Sequence, residues 1–243
     1  MSAREPLRRE AQAGFILHSY PFRETSLIVE AFTRDHGRIA LVARGARRPR
    51  SSLRGVLLPF QPLLLSWSGR SELGTLMRAE WQGGYLALEG ETLMCGFYLN
   101  ELLLKLLPRD DPHERLYNSY QHTLAALVAG PEREGILRRF ELRLLEELGY
   151  AVTLDRAAGS GAGIVAQRRY VYLIERGPVE AEAFEPGKGV ELSGATLLDM
   201  KSGDYRNAVT QQQSKILMRT LIDHYLGKQV LHTRQMLREL QEL

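Results

Sequence analysis

Between Gly37 and Gly55 the chain reads GRIALVARGARRPRSSLRG. Arg44, Arg47, Arg48, Arg50 and Arg54 fall within eleven residues, and no Asp or Glu occurs from Gly37 through Ser71. A local field of this kind calls for an anionic partner. Guanidinium groups grip phosphate oxygens through a planar pair of donors and stack on bases, where an ammonium is only a point charge. Five Arg and no Lys therefore point to phosphate, with Ser51, Ser52 and the amides near Gly45 as neutral donors. Arg38 and Arg70 extend the basic set on either side. The competing reading is a solvated basic loop without a partner. Binding of unpaired strands also needs aromatic platforms, and Tyr20, Phe22 and Trp67 are the candidates, with Phe60 in the same region. Phe15 and Phe32 sit in strand patterns and read as core, and Trp67 reads equally as core or platform.

A second basic feature lies further on. Arg133, Arg138, Arg139 and Arg143 are mixed with Glu134, Glu141, Glu146 and Glu147 on one helical pattern. One reading is a helix laced with intrahelical ion pairs, worth about 0.3–0.5 kcal/mol each. The other is a groove for an acidic peptide, with Arg138, Arg139 and Arg143 on its carboxylates and Phe140 or Tyr150 as an apolar wall.

Signals for catalysis are weak. The six histidines are dispersed without metal-ligand spacing. Cys95, the single cysteine, excludes an internal disulfide or a cysteine-based zinc cluster. Asp110-Asp111, between Pro108 and Pro112, reads as a connecting turn. The alternative is a metal-dependent nuclease using Asp110, Asp111 and a histidine. The stretch Gly159-Ser160-Gly161-Ala162-Gly163 lacks the Gly-Lys-Ser/Thr ending of a phosphate loop and reads as a linker. From the residues alone, no cofactor and no metal are expected.

The elements that must hold these groups follow from periodicity. Residues 1–80 carry 13 Arg, no Lys and 7 carboxylates, so a basic front precedes a slightly acidic body. Residues 1–12 read as a flexible N-terminal arm. Strand patterns follow from Phe15 to Ser19, Thr25 to Thr33, Arg38 to Ala43, Val56 to Trp67 and Leu73 to Trp81. Five short strands in residues 13–82 predict a small barrel of the OB-fold type. After Gly83-Gly84 the period becomes helical. Helices are predicted over Thr92–Leu107, around Leu116–Leu127 and around Ile136–Leu148, with a later one opened by a Thr210/Gln213 capping box and a last one capped by Thr233. Pro131 suits the first turn of the third. The predicted class is α+β: residues 83–243 form a mainly helical domain with a small irregular or β insertion around 155–205, including Tyr170–Ile174 as a strand, a return near Val179 and a helical turn at Thr196–Met200. Met1 to Gln12 lacks the apolar core of a secretory leader, and no run approaches a membrane span. A cytoplasmic protein with no membrane partner is expected.

Four segments carry a family resemblance: FILHSYPFRETSLIVEAFTRDHGRIALVARGARRPRSSLRG, LPFQPLLLSWSGRSELGTLMRAE, YLNELLLKLLP and LRRFELRLLEELGY. The chain resembles the bacterial RecO family of recombination and repair proteins over most of residues 13 to 150, with thinner support beyond. The resemblance implies an OB-fold joined to a helical domain and a mediator that does not turn over a substrate. It implies binding to single- and double-stranded DNA, annealing of complementary strands, partnership with RecR and the acidic C-terminal tail of single-stranded DNA-binding protein, and indirect service to RecA in gap loading. It also strengthens a peptide site at Arg138, Arg139 and Phe140. Some family members carry a four-cysteine zinc module after the segment that ends here in Leu-Gly-Tyr. This chain has Asp155-Arg156-Ala157-Ala158-Gly159 there, so packing through Tyr170, Tyr172 and Ile174 must do that work. From the residues alone, an RNA-binding OB module with a helical dimerisation domain stays open.

Overall fold

A computed structural model describes residues 7–69, 72–84, 87–130, 132–150, 152–181 and 189–241, with side chains to Met236. The chain divides into two units: residues 1–128 with 231–243, and residues 129–230.

The first unit is built on five strands: β1 (Arg8–Phe22), β2 (Ser26–Thr33), β3 (Gly37–Ala43), β4 (Leu63–Ser68) and β5 (Leu73–Trp81). They close in the order β1-β2-β3-β5-β4, with β3 and β5 the one parallel pair. The long β1 makes closure possible. Its first half pairs with β4 through Arg8↔Ser68 and Gly14↔Leu63, and its second half with β2 through Gly14↔Thr33 and Phe22↔Ser26. Gly14 sits where the strand changes partner: a Cβ there would lie 3.1 Å from Leu65 and 3.2 Å from the Phe32 carbonyl. Val29, Ala31, Leu41, Leu63 and Leu65 fill the interior.

Two differences from the sequence expectation concern phase. Residues 8–12 are paired strand rather than arm, because their backbone groups complete the ladder to β4. The fourth strand begins at Leu63, not Val56. Pro59 and Pro62 withhold ladder donors, Phe60 takes a φ of 67°, and a 3-10 turn at Ser52–Gly55 precedes them.

Three helices belong to this unit: α1 (Gly90–Leu106), α2 (Glu114–Ala129) and α6 (His232–Gln241). Phe15 and Phe32 face out of the barrel and meet the rings of Tyr117 and Tyr120 at 5.2–6.2 Å. Asn100 joins three elements: its Nδ2 donates to the Leu17 carbonyl at 2.9 Å, and its Oδ1 accepts from Tyr120 at 2.5 Å. Burial drives the Tyr120 phenol far above its ordinary pKa.

Helix α6 is tied down by a buried carboxylate. Glu101 accepts from the amides of His232 (2.8 Å) and Thr233 (2.9 Å) and from the Thr233 hydroxyl (2.6 Å). It also pairs with Lys105 at 3.0 Å. Thr233 was the cap expected from sequence, but the charge at this helix start comes from α1, 132 residues away. Burial alone would raise the Glu101 pKa; the bonds from Thr233, His232 and Lys105 outweigh it and hold the group below 4.5. A folded-state pKa below the unfolded value gives stability that is present above the unfolded pKa and lost as pH falls through the folded one. Glu101→Gln is therefore expected to cost about 2–3 kcal/mol near neutrality and to flatten the loss of stability below about pH 4.5. Urea unfolding across that pH range checks both.

The second unit contains α3 (Arg133–Glu147), a sheet in the order β7-β6-β8, α4 (Gly194–Ser202) and α5 (Ala208–Leu226). Its strands are β6 (Arg169–Leu173), β7 (Gly177–Glu180) and β8 (Val190–Ser193). Tyr170 and Tyr172 lie in its core with Leu145, Leu197, Leu217 and Leu221, and Ile174 packs against it. The region expected to be irregular is better ordered than its glycines suggested. Val190–Ser193 adds a third strand, and the Ser193 hydroxyl accepts the Thr196 amide at 3.1 Å to start a helix longer than the expected turn. The α5 cap is Asn207, accepting from the Val209 amide at 2.8 Å. Thr210 and Gln213 do not box it: Thr210 donates to Asp199, and Gln213 accepts from Ser193 and Thr196. Pro131 lies outside the described residues.

Candidate nucleic-acid interface

The arginine loop leaves β3 at Ala43 and returns to β4 at Leu63. Ala46 (1% exposed) and Leu57 enter the barrel core, with Leu53 and Val56 packed against it. The Arg47 amide donates to the Thr25 carbonyl at 2.9 Å, and its guanidinium reaches the Arg23 and Glu24 carbonyls at 3.4 and 3.3 Å. The loop is thus pinned to the β1–β2 turn by apolar plugs and backbone bonds. Arg44, Arg47, Arg48, Arg50 and Arg54 are all exposed, and among the described residues none is in an ion pair.

Beside the loop runs the outer wall of the barrel. The ladders align Tyr20↔Ile28, Ile28↔Val42 and Val42↔Thr75 in one row across β1, β2, β3 and β5. Tyr20 is 45% exposed and Met77, two residues beyond Thr75, 55%. His18 meets the Tyr20 ring edge-on at 4.4 Å. Phe22 is half-buried, with the Arg23 guanidinium 5.1 Å from its ring centre. Tyr20 and Phe22 thus share one face with His18, Ile28, Val42 and Met77, which the sequence reading did not single out. A bulge between Ile16 and His18 breaks the alternation of β1, so phase counted from Phe15 misplaces that face.

Two expected contacts lie elsewhere. Trp67 is buried inside the barrel, edge-on to His36 at 5.3 Å, and offers no platform on the outer wall. Arg38 is committed to the fold: its Nη1 pairs with Glu30 at 3.0 Å and its Nε donates to the Leu107 carbonyl at 2.9 Å. Arg109 holds the other oxygen of the same buried Glu30. Arg70 lies outside the described residues.

On α3 the expected peptide site divides. Arg138 is buried and pairs with Glu141 at 2.6 Å, and Phe140 is wholly buried. Neither presents a surface, because both are buried. Arg139 and Arg143 face solvent. Arg139 donates to the Gly203 carbonyl at 2.9 Å beside the ring of Tyr205, and Arg143 pairs with Glu146 at 3.1 Å. Tyr150 is half-buried and stacks on Tyr225 at 3.7 Å.

Asp111 reaches His113 at 3.2 Å. Among the described residues no cluster of three or more His, Cys, Asp or Glu could hold a metal, and no helix is long and apolar enough to cross a membrane.

A closed five-stranded barrel with a pinned arginine loop, followed by helices, defines an OB-type module joined to a helical domain. The family description Recombination protein O N terminal matches residues 7–85, and Recombination protein O C terminal matches residues 87–236. A protein of Nitrosospira multiformis named DNA repair protein RecO is 59% identical over 236 residues, 97% of this chain and 98% of its own length. Proteins of the same name from Aromatoleum aromaticum and Burkholderia orbicola are 55% and 54% identical, covering 97% and 96% of this chain and 98% and 83% of their own lengths. The chain belongs to the RecO family. Membership supports a role in DNA repair and recombination. The family boundary at residues 85–87 differs from the division of the fold, which groups α1, α2 and α6 with the barrel.

Proposed function

We propose that this chain is a DNA-binding recombination mediator rather than an enzyme. It binds single- and double-stranded DNA and brings complementary strands together. Five exposed loop arginines, anchored through Ala46 and Leu57 beside the face that carries Tyr20, support this most directly. Two strands approaching each other repel through their phosphates. A fixed group of guanidiniums lowers that repulsion while the outer wall accepts unstacked bases.

In this reading the partners are those of the family: RecR, the acidic C-terminal tail of single-stranded DNA-binding protein and, indirectly, RecA at coated gaps. The tail would meet Arg139, Arg143 and Tyr150, the members of the α3 set that reach the surface. Reversing both charges, Arg139→Glu with Arg143→Glu, is expected to weaken binding of an acidic tail peptide roughly tenfold or more and to leave DNA affinity unchanged. Peptide anisotropy set beside DNA anisotropy tests this.

The function itself is tested by annealing of dye-labelled complementary strands. Acceleration by the protein, with DNA preferred over RNA of the same sequence, is the expected result. No acceleration, or equal preference for RNA, would overturn it. Cleavage of DNA in Mg²⁺ or Mn²⁺ that disappears in Asp111→Ala would overturn the non-enzymatic reading.

A further inference from the structure

The barrel carries a cleft of about 300 Å³ apart from the outer wall. It opens where β3 begins and β4 turns into β5. Ile39, Leu41 and the buried indole of Trp67 give it apolar lining, while Arg9, His36, Glu72 and Asp110 supply polar groups. The loop arginines leave β3 at its other end. The lining of the cleft reaches along β3 to Leu41, three residues before Arg44, about 10 Å of strand.

The polar groups here differ from the paired charges between β2 and β3. Glu30 and Arg38 satisfy each other. In the cleft, no hydrogen bond or ion pair ties the side chains of Arg9, His36, Trp67, Glu72 and Asp110 to other described residues. Burial first, and then the nearby Arg9, hold the His36 imidazole below its ordinary pKa, so it is neutral at pH 7. The cleft thus combines a largely buried indole, one cation and two exposed carboxylates that have no hydrogen-bond or ion-pair partner among the described residues. Glu72 and Asp110 are exposed and hydrated at the mouth, so a group that displaces their water must donate hydrogen bonds in its place. An apolar side chain has none to give, and a simple anion would meet them as like charges. A planar group that donates hydrogen bonds and trails a phosphate satisfies all of them.

We propose that this cleft takes one unstacked base of a bound single strand and prefers a base with an exocyclic amino group. The base lies against Trp67 and His36, its amino group donates to Glu72 or Asp110, and Arg9 meets the adjoining phosphate. Cytosine offers N4–H₂ where thymine offers the O4 carbonyl, which would face carboxylate lone pairs. The distance to the arginine loop is within the several nucleotides that one such barrel spans. The inference rests on the reading of this barrel as a single-strand binder.

The test uses the full chain with Trp81→Phe, which leaves Trp67 as the sole indole. All-cytosine and all-thymine DNA of equal length are titrated at one salt concentration, following both Trp67 emission and the anisotropy of a dye on the DNA. The expected result is a saturable change in Trp67 emission with the cytosine strand and roughly tenfold weaker binding of the thymine strand. Glu72→Gln with Asp110→Asn is expected to remove the difference and to keep the salt dependence due to the loop. Equal affinity for both strands, or anisotropy that saturates while Trp67 emission stays constant, would overturn the cleft assignment and leave the DNA reading standing. A Trp67 response to an acidic peptide but not to DNA would also overturn it. Absence of binding to either strand would overturn the DNA reading and this inference together.

Discussion

Replacing Arg44, Arg47, Arg48 and Arg50 together by alanine is expected to lower single-stranded DNA affinity by roughly two to three orders of magnitude at about 0.1 M salt. Each phosphate neutralised on a single strand contributes about −0.7 to the slope of log affinity against log salt. Losing four contacts should flatten that slope by about 2.8, and annealing should disappear with it. The fold should survive, because these side chains are exposed and the loop is held by Ala46, Leu57 and backbone bonds instead. Only Arg47 contributes side-chain bonds to the anchor, and they are long, at 3.3 and 3.4 Å. Anisotropy at several salt concentrations, with circular dichroism of the variant, is the measurement. An unchanged slope in a folded variant would remove the loop from the interface.

The second large effect is on stability. Glu30 is 4% exposed and accepts from both Arg38 and Arg109. Glu30→Ala leaves Arg38 charged and half-buried without its counter-ion, and breaking a buried pair from one side costs about 3–5 kcal/mol. Removing both charges, Glu30→Leu with Arg38→Met, should recover much of that loss, since an apolar pair of similar volume avoids the desolvation. Arg109 is then left near solvent, with 39% of its side chain exposed. Trp67 and Trp81 both report on this unit, so denaturant unfolding followed by their fluorescence measures the effect where it occurs. Arg38→Ala should likewise lower stability while leaving the salt slope of DNA binding intact. That outcome separates it from Arg44, six residues later in the same basic run.

The contrast between Arg38 and Arg44 shows how far residue patterns reach. Both are arginines on a run without carboxylates. Nothing local distinguishes them, because the partner that claims Arg38 includes a carbonyl 69 residues away. Trp67 poses the same problem. Alternation in SWS places it on one side of a strand, but which side is the interior depends on how the sheet closes. Arg138 and Phe140 were singled out by the family resemblance, yet both are buried on α3, while Arg139 and Arg143 are exposed. The bulge at Ile16/His18 shifted the face of β1 by one residue, and one residue reverses every side chain beyond it.

The amino-acid sequence by itself determined the five-stranded barrel, the helical remainder, the basic loop and the lack of cysteines for a zinc module. These follow from period, composition and turn chemistry, which are local. Only the tertiary structure decided which charges are spent on the fold and which face solvent, that residues 8–12 complete the ladder, that Glu101 caps a helix 132 residues away, and that Trp67 and His36 line a cleft. Those outcomes depend on burial and pairing between distant segments. A charge becomes a structural group or a binding group according to what the fold places opposite it.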